Sequence, residues 1–182
     1  MSATQTSLPT GTWNVDPTHS RVGFRVKHLG ISTVRGEFGS FEGQLVIADD
    51  GSVTAKGNVK LDSIDTSDAD RDTHLKAADF FDAENYADIA FTSTSITPTG
   101  DDTYEITGDL TLRGVTQPIT LTAESGGAET DPFGFERIGF EATGSLNRSD
   151  YGMKFNQALG SGNLAVSDKV KLILDISAIK AA

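Results

Sequence analysis

Polar and apolar residues alternate with a period of two along most of this chain. Over residues 21–28, Val22, Phe24, Val26 and His28 fall on one side of an extended backbone and Arg21, Gly23, Arg25 and Lys27 on the other. Residues 52–62 repeat the pattern without exception, with Val53, Ala55, Gly57, Val59 and Leu61 opposite Ser52, Thr54, Lys56, Asn58, Lys60 and Asp62. Tyr104 to Leu112, Ile119 to Ala123, Ile138 to Leu146 and Val170 to Ile176 follow it again. The spacing predicts about eight or nine antiparallel strands, each with one wet and one dry face. Between Phe38 and Phe41 the apolar register slips by one, which predicts a bulge, and Gly36, Gly39 and Gly43 make such bending easy. Turns are expected at 48–51, 98–101, 125–127 and 159–162, where glycine meets aspartate, serine or proline.

One segment breaks the alternation. Ser67-Asp68-Ala69-Asp70 has the form of a helix cap with acidic residues in the first turn, and Leu75, Ala77 and Ala78 follow at helical spacing. A short helix over about 67–78 is predicted, with the aromatic pair Phe80-Phe81 behind it, as a plug for the core or a lid over a mouth. Wet-and-dry strands suit a sandwich as well as a barrel. The helical interruption favours a barrel, whose open end needs a cap. The fold class is all-β: an antiparallel barrel with one short helical segment capping or flanking its mouth.

With 182 residues and no shift in composition, the chain reads as a lead-in over 1–10 and a single domain over 11–182. The absence of cysteine excludes disulfides, thiol catalysis and cysteine-ligated zinc. A formal net charge of -11 argues against nucleic acid and disfavours anionic membrane surfaces. No apolar run approaches the ~20 residues of a membrane-spanning helix. The amino terminus has neither the basic start nor the apolar stretch of a secretory signal, so the expected location is the cytoplasm, or the periplasm or exterior if the sequence is a trimmed mature form.

The dry faces and the helical segment supply candidate contacts for an apolar ligand, with ordinary core packing the stronger alternative for any one of them: Phe24, Val26, Phe38, Phe41, Leu75, Phe80, Phe81 and Phe91. His28 ends one such face, and His74 sits in the predicted helix. The cations available to an anionic head group are Arg71, Arg113, Arg148 and Lys154; structural alternatives are an ion pair or turn cap for Arg71 and a water-facing turn for Arg113. His19, His28 and His74 show no local metal-ligand spacing, no glycine-rich phosphate loop follows a strand, and no serine sits in a nucleophile elbow. No catalytic residue, cofactor or metal is expected. The rival enzymatic reading would use His28, His74 and Arg71 on a small lipid.

Several motifs together carry a resemblance. Trp13-x-Val15-Asp16-Pro17-x-His19-Ser20-x-Val22-x-Phe24-x-Val26-x-His28 is followed by Gly36-x-Phe38-x-x-Phe41-x-Gly43, Arg71-Asp72-x-His74-Leu75 and Asp79-Phe80-Phe81-Asp82. Gly108-x-Leu110-Thr111-Leu112-Arg113-Gly114-Val115-Thr116-x-Pro118 and Arg148-x-Asp150-Tyr151-Gly152 complete the series. In this order they resemble the YceI-like family of polyisoprenoid-binding, lipocalin-like proteins over about 11–179. The resemblance implies an extended eight-stranded antiparallel barrel and a lumen holding an isoprenoid quinone, a polyprenyl diphosphate or another long hydrophobic ligand. It also implies homodimers and no enzymatic activity. A broader scavenger of fatty acids and amides is the nearest alternative.

Overall fold

The computed structural model describes residues 8–162 and 164–182. Eleven strands appear among them: β1 (Gly11–Val15), β2 (Arg21–His28), β3 (Ser32–Phe38), β4 (Phe41–Ile47), β5 (Val53–Lys60), β6 (Ile64–Asp65), β7 (Asp88–Pro98), β8 (Thr103–Leu112), β9 (Val115–Thr130), β10 (Glu136–Asn147) and β11 (Val166–Lys180). The helix α1 (Ala69–Lys76) lies between β6 and β7. Eight strands close a ring in the order β1-β4-β5-β7-β8-β9-β10-β11, with β1 returning to the end of β11 through Trp13 opposite Lys180 and Val15 opposite Ala178. All pairings are antiparallel.

The first half of β11 pairs with β2 instead, Val166 opposite His28 to Asp175 opposite Arg21, so β1 and β2 share one long edge on either side of the 3₁₀ corner Pro17–His19. β3 and the two-residue β6 extend that side. The corner is held by Asp16, whose carboxylate accepts from the Thr18 N–H and hydroxyl, from His19 and from Arg137 of β10. Arg137 also donates to Asp131 and thereby ties the corner to the β9–β10 hairpin.

Alternation drives the packing. In β8 the dry positions Tyr104, Ile106, Leu110 and Leu112 are buried, while Glu105 and Asp109 face water. The core is distributed unevenly along the barrel. One end is filled by fully buried Trp13 with Ile47, Ile138 and Ala178, and the Trp13 indole donates to the Pro9 carbonyl. Near the other end Phe38, Leu61 and Ile64 pack under Leu75 and Phe81.

Several sequence expectations need correction. Phe38 and Phe41 do not flank a bulge: β3 ends at Phe38 and a new strand begins at Phe41, across a corner where the Gly39 N–H donates to the Ser63 carbonyl. The register slips because the two strands take different partners, β6 and β1/β5. The stretch 125–127 is not a turn. It lies inside β9, where Gly126 is the extra residue of a bulge opposite Gly139 and Phe140. The helix is shorter than 67–78, because the Asp68 carboxylate caps it and accepts from the Arg71 N–H. Of the predicted lead-in, residues 1–7 lie outside the described residues, and Leu8 packs against the Trp13 cluster.

Candidate functional site

The inward side chains do not fill the barrel. A cavity of about 270 Å³ runs inside it, just below the ~300–1,000 Å³ common for small-molecule sites. Its wall follows β11 from Val166 to Ile176, about 33 Å of strand at ~3.3 Å per residue, so the space is long relative to its volume.

Two local devices keep it open. Gly43 of β4 and Gly57 of β5 face each other in register, so the wall there is backbone, flanked by the small Ala55. Elsewhere large side chains lie flat over glycines of the neighbouring strand. A Cβ on Gly36 would sit 2.3 Å from the Phe24 ring, one on Gly108 2.4 Å from the Phe91 ring, and one on Gly144 2.5 Å from Leu121. Each glycine lets its neighbour lean against the wall and leave the centre free.

Phe24, Val26, Phe38, Phe41, Leu75, Phe80, Phe81 and Phe91 all border this cavity. So do residues that the sequence presented only as walls, among them Leu110, Leu121, Phe140 and Leu172. Their alternation was visible, but period two cannot tell which dry positions meet a void and which meet each other. Leu75 from the last turn of α1, with Phe80 and Phe81 after it, covers one end of the space. Phe38 and Phe81 pack edge to face at 6.3 Å, and Phe80 contacts His74 at 5.0 Å and Phe155 at 5.3 Å between ring centres. The helix itself buries none of its residues, so it is a cover and not a plug.

The polar candidates fall elsewhere. His28 is exposed at the end of β2, opposite Val166, and does not border the cavity. His74 binds Asp79 at 3.2 Å, half-exposed, beyond the cavity wall. His19 serves the Asp16 corner, so the three histidines do not converge, and no cluster of metal-ligating side chains occurs among the described residues. Arg71 donates from Nε and Nη2 to the Thr66 hydroxyl and carbonyl, while Asp72 accepts from the Thr66 N–H and hydroxyl. The Arg71-Asp72 pair therefore staples the start of α1 around buried Thr66. Arg113 does not face water: half-buried at φ 54, it donates to the carbonyls of Gly152 and Ala78 and ties the cover to the chain after β10.

Arg148 is the charged side chain that reaches the cavity wall from a buried position. It donates to the carbonyls of Ser167, Met153, Phe155 and Val166, and its guanidinium carbon lies 5.9 Å from the Phe80 ring centre. Burial holds its pKa below the ordinary arginine value, with Asp168 opposing. Four of its five N–H donors are engaged. The Tyr151 hydroxyl nearby is buried, without a hydrogen-bond partner among the described residues, and burial pushes its pKa up to about 12.

The YceI-like domain model matches residues 13–178. The chain belongs to the YceI-like family. A protein named YceI from Escherichia coli O17:K52:H18 is 41% identical over 164 residues, which cover 89% of this chain and 82% of that protein. Among solved structures, the Campylobacter jejuni YceI protein is 31% identical with a TM-score of 0.74 over 86% of this chain and 90% of that one. A polyisoprenoid-binding domain from Saccharophagus degradans shares the fold at 15% identity, with a TM-score of 0.70 over 93% of this chain and 98% of that one. The expected YceI-like, lipocalin-like barrel is thus the fold observed, down to the eight-strand ring and, among the described residues, the single short α-helix.

Proposed function

We propose that this YceI-like barrel binds and carries a long-chain isoprenoid lipid, without catalysing a reaction on it. The observation that carries this reading is the elongated apolar cavity along β11. The polyisoprenoid-binding description of the Saccharophagus degradans domain supports it through the shared fold. At roughly 0.3 kcal/mol per heavy atom for large ligands, every ten carbons enclosed would gain about 3 kcal/mol, so affinity would rise with the length of chain that the cavity takes in, without directed polar contacts. Cavity length would then select chain length.

The head group is better read as a neutral quinone than as a diphosphate. A diphosphate needs several fixed cations, but Arg71 donates to the Thr66 hydroxyl and carbonyl, Arg113 donates through Nη1 and Nη2 to the Gly152 and Ala78 carbonyls, and neither borders the cavity. Arg148 retains one N–H, enough for a single carbonyl acceptor. His28 lies exposed at the end of β2, His74 is engaged with Asp79 and Arg71 with Thr66, so their contacts lend no support to a lipid-modifying enzyme.

The test is extraction of the purified protein with organic solvent and mass spectrometry of what is released, together with uptake of an offered isoprenoid quinone. A bound long-chain lipid and saturable uptake are expected; empty protein that takes up neither quinone nor fatty acid would sink the reading. A companion variant fills the void. A Cβ on Gly57 would meet only the Glu42 carbonyl at 3.5 Å, an ordinary contact, so Gly57→Phe projects into the cavity without a backbone clash. It should reduce quinone uptake at least tenfold while the protein stays folded by circular dichroism.

A further inference from the structure

Charge on this acidic chain is segregated by rungs of the sheet. On the outer face Lys171 of β11, Arg25 of β2 and Arg35 of β3 lie directly opposite one another across three adjacent strands. Lys169 and Lys27 stand one alternation further toward the end that carries α1. None of these five exposed cations has an ion-pair partner among the described residues. Residues 21–36 contain Arg21, Arg25, Lys27 and Arg35 and no carboxylate. Toward the opposite end the same face turns acidic, with Glu124 opposite Glu141 and Glu141 opposite Asp175. Like charges directly across strands destabilise a sheet, so the cationic row is kept against its own repulsion.

The tip of the β2–β3 hairpin adds a second oddity. Tight hairpin turns with two positive φ values favour Asn-Gly or Asp-Gly, but here the positions are Leu29 at φ 57 and Gly30 at φ 73, followed by Ile31, which is 79% exposed. Leucine is disfavoured in that region. The Leu29 N–H is bonded to the Ala165 carbonyl, which sets this tip beside exposed Leu164. A strained turn thus presents apolar side chains to water next to unpaired cations, at the end of the barrel where Val26, Val166 and Phe80 border the cavity. The other exposed apolar tip, Phe133 and Phe135 between β9 and β10, sits among Glu129, Asp131 and Glu136.

We infer that the β2–β3 hairpin is a docking surface for anionic phospholipid membranes. Ile31 enters the interface, and Lys171, Arg25, Arg35, Lys169 and Lys27 lie against the head groups. The inference rests on the carrier reading for its purpose, since it sets the covered end of the cavity toward the bilayer that holds the lipid. The net charge of -11 does not prevent it, because screening confines each charge to about 8 Å at physiological salt. The acidic rung and the Phe133 tip are then turned away from the membrane.

Sedimentation with phosphatidylcholine vesicles, with and without phosphatidylglycerol, tests the surface directly. Binding is expected only to the anionic vesicles and should vanish at about 0.5 M salt. Arg25→Glu should lower partitioning on the order of tenfold and, by placing a carboxylate between two cations, should keep or raise the melting temperature. Lys171→Glu and Ile31→Asp should also weaken binding. Wild-type protein that sediments equally with both vesicles, or folded charge and Ile31 variants that sediment like wild type, would overturn the proposal. So would retention of a DNA oligonucleotide through Arg25 without vesicle binding. Quinone uptake from ethanol, with no membrane present, separates the two readings: uptake without docking overturns this surface alone, and docking without uptake supports the surface while overturning the carrier.

Discussion

Arg148 shows how a single side chain can set the shape of a site without recognising a ligand. The four carbonyls that it gathers belong to segments on either side of residues 156–165, and Asp168 reinforces the arrangement by accepting from the Ser149 N–H and hydroxyl. Replacing the guanidinium with an apolar chain would leave several carbonyls unpaired beside an apolar wall, at about 1–3 kcal/mol for each buried group left unsatisfied. Arg148→Met is therefore expected to lower stability by about 3 kcal/mol or more in urea denaturation. Arg148→Lys should rescue it poorly, because an ammonium cannot reach four acceptors in a plane. The sequence offered Arg148 as a candidate cation for an anionic head group and as the first residue of the Arg148-x-Asp150-Tyr151-Gly152 motif, not as a gatherer of carbonyls. A side chain's partners here come from residues up to nineteen positions away, and no local pattern encodes them.

At the scale of elements, ring closure depends on the corner between β1 and β2. Arg137, His19 and Thr18 hold the Asp16 carboxyl well below the usual carboxylate range. A carboxylate whose pKa is depressed by folding contributes stability that is full above its unfolded value near ~4 and is lost as the pH falls through the depressed folded value. Asp16→Asn should thus lower the melting temperature at pH 7. The gap to wild type should narrow progressively below about pH 4, as measured by thermal melts across pH. A constant gap down to pH 2 would show that the effect comes from packing. The motif at residues 13–28 was legible as a turn joined to a strand, but the turn's role in letting two strands share β11 was not. That role depends on Arg137, distant in the chain and adjacent only in the sheet.

For the whole molecule, the two ends of the barrel do different work. The Trp13 end is a packed stopper: Trp13 is 0% exposed against Ile47, Ile138 and Ala178. Trp13→Ala should destabilise by about 3–5 kcal/mol, seen as an earlier unfolding midpoint, while a shortened stopper also admits longer ligand chains if depth selects length. The α1 end is a polar-stapled cover, held by Arg71 through Thr66 and by Arg113 through Ala78 and Gly152.

The division between sequence and tertiary structure follows from range. Alternation with period two is a local consequence of the extended backbone, so most of the strands, their dry faces and the short helix could be read from order alone, with the residues from Phe24 to Phe91 marked as candidates for a core or a lining alike. The void itself could not. It exists because Gly43 meets Gly57, and because Phe24, Phe91 and Leu121 lie over Gly36, Gly108 and Gly144. Those encounters depend on which strands pair and in what register. The same holds for the cations: summed along the chain they vanish beneath an excess of carboxylates, and only the register of β11, β2 and β3 sets Lys171, Arg25 and Arg35 side by side. Side-chain chemistry is carried by each residue, but emptiness and charge density belong to the neighbourhoods that folding assembles.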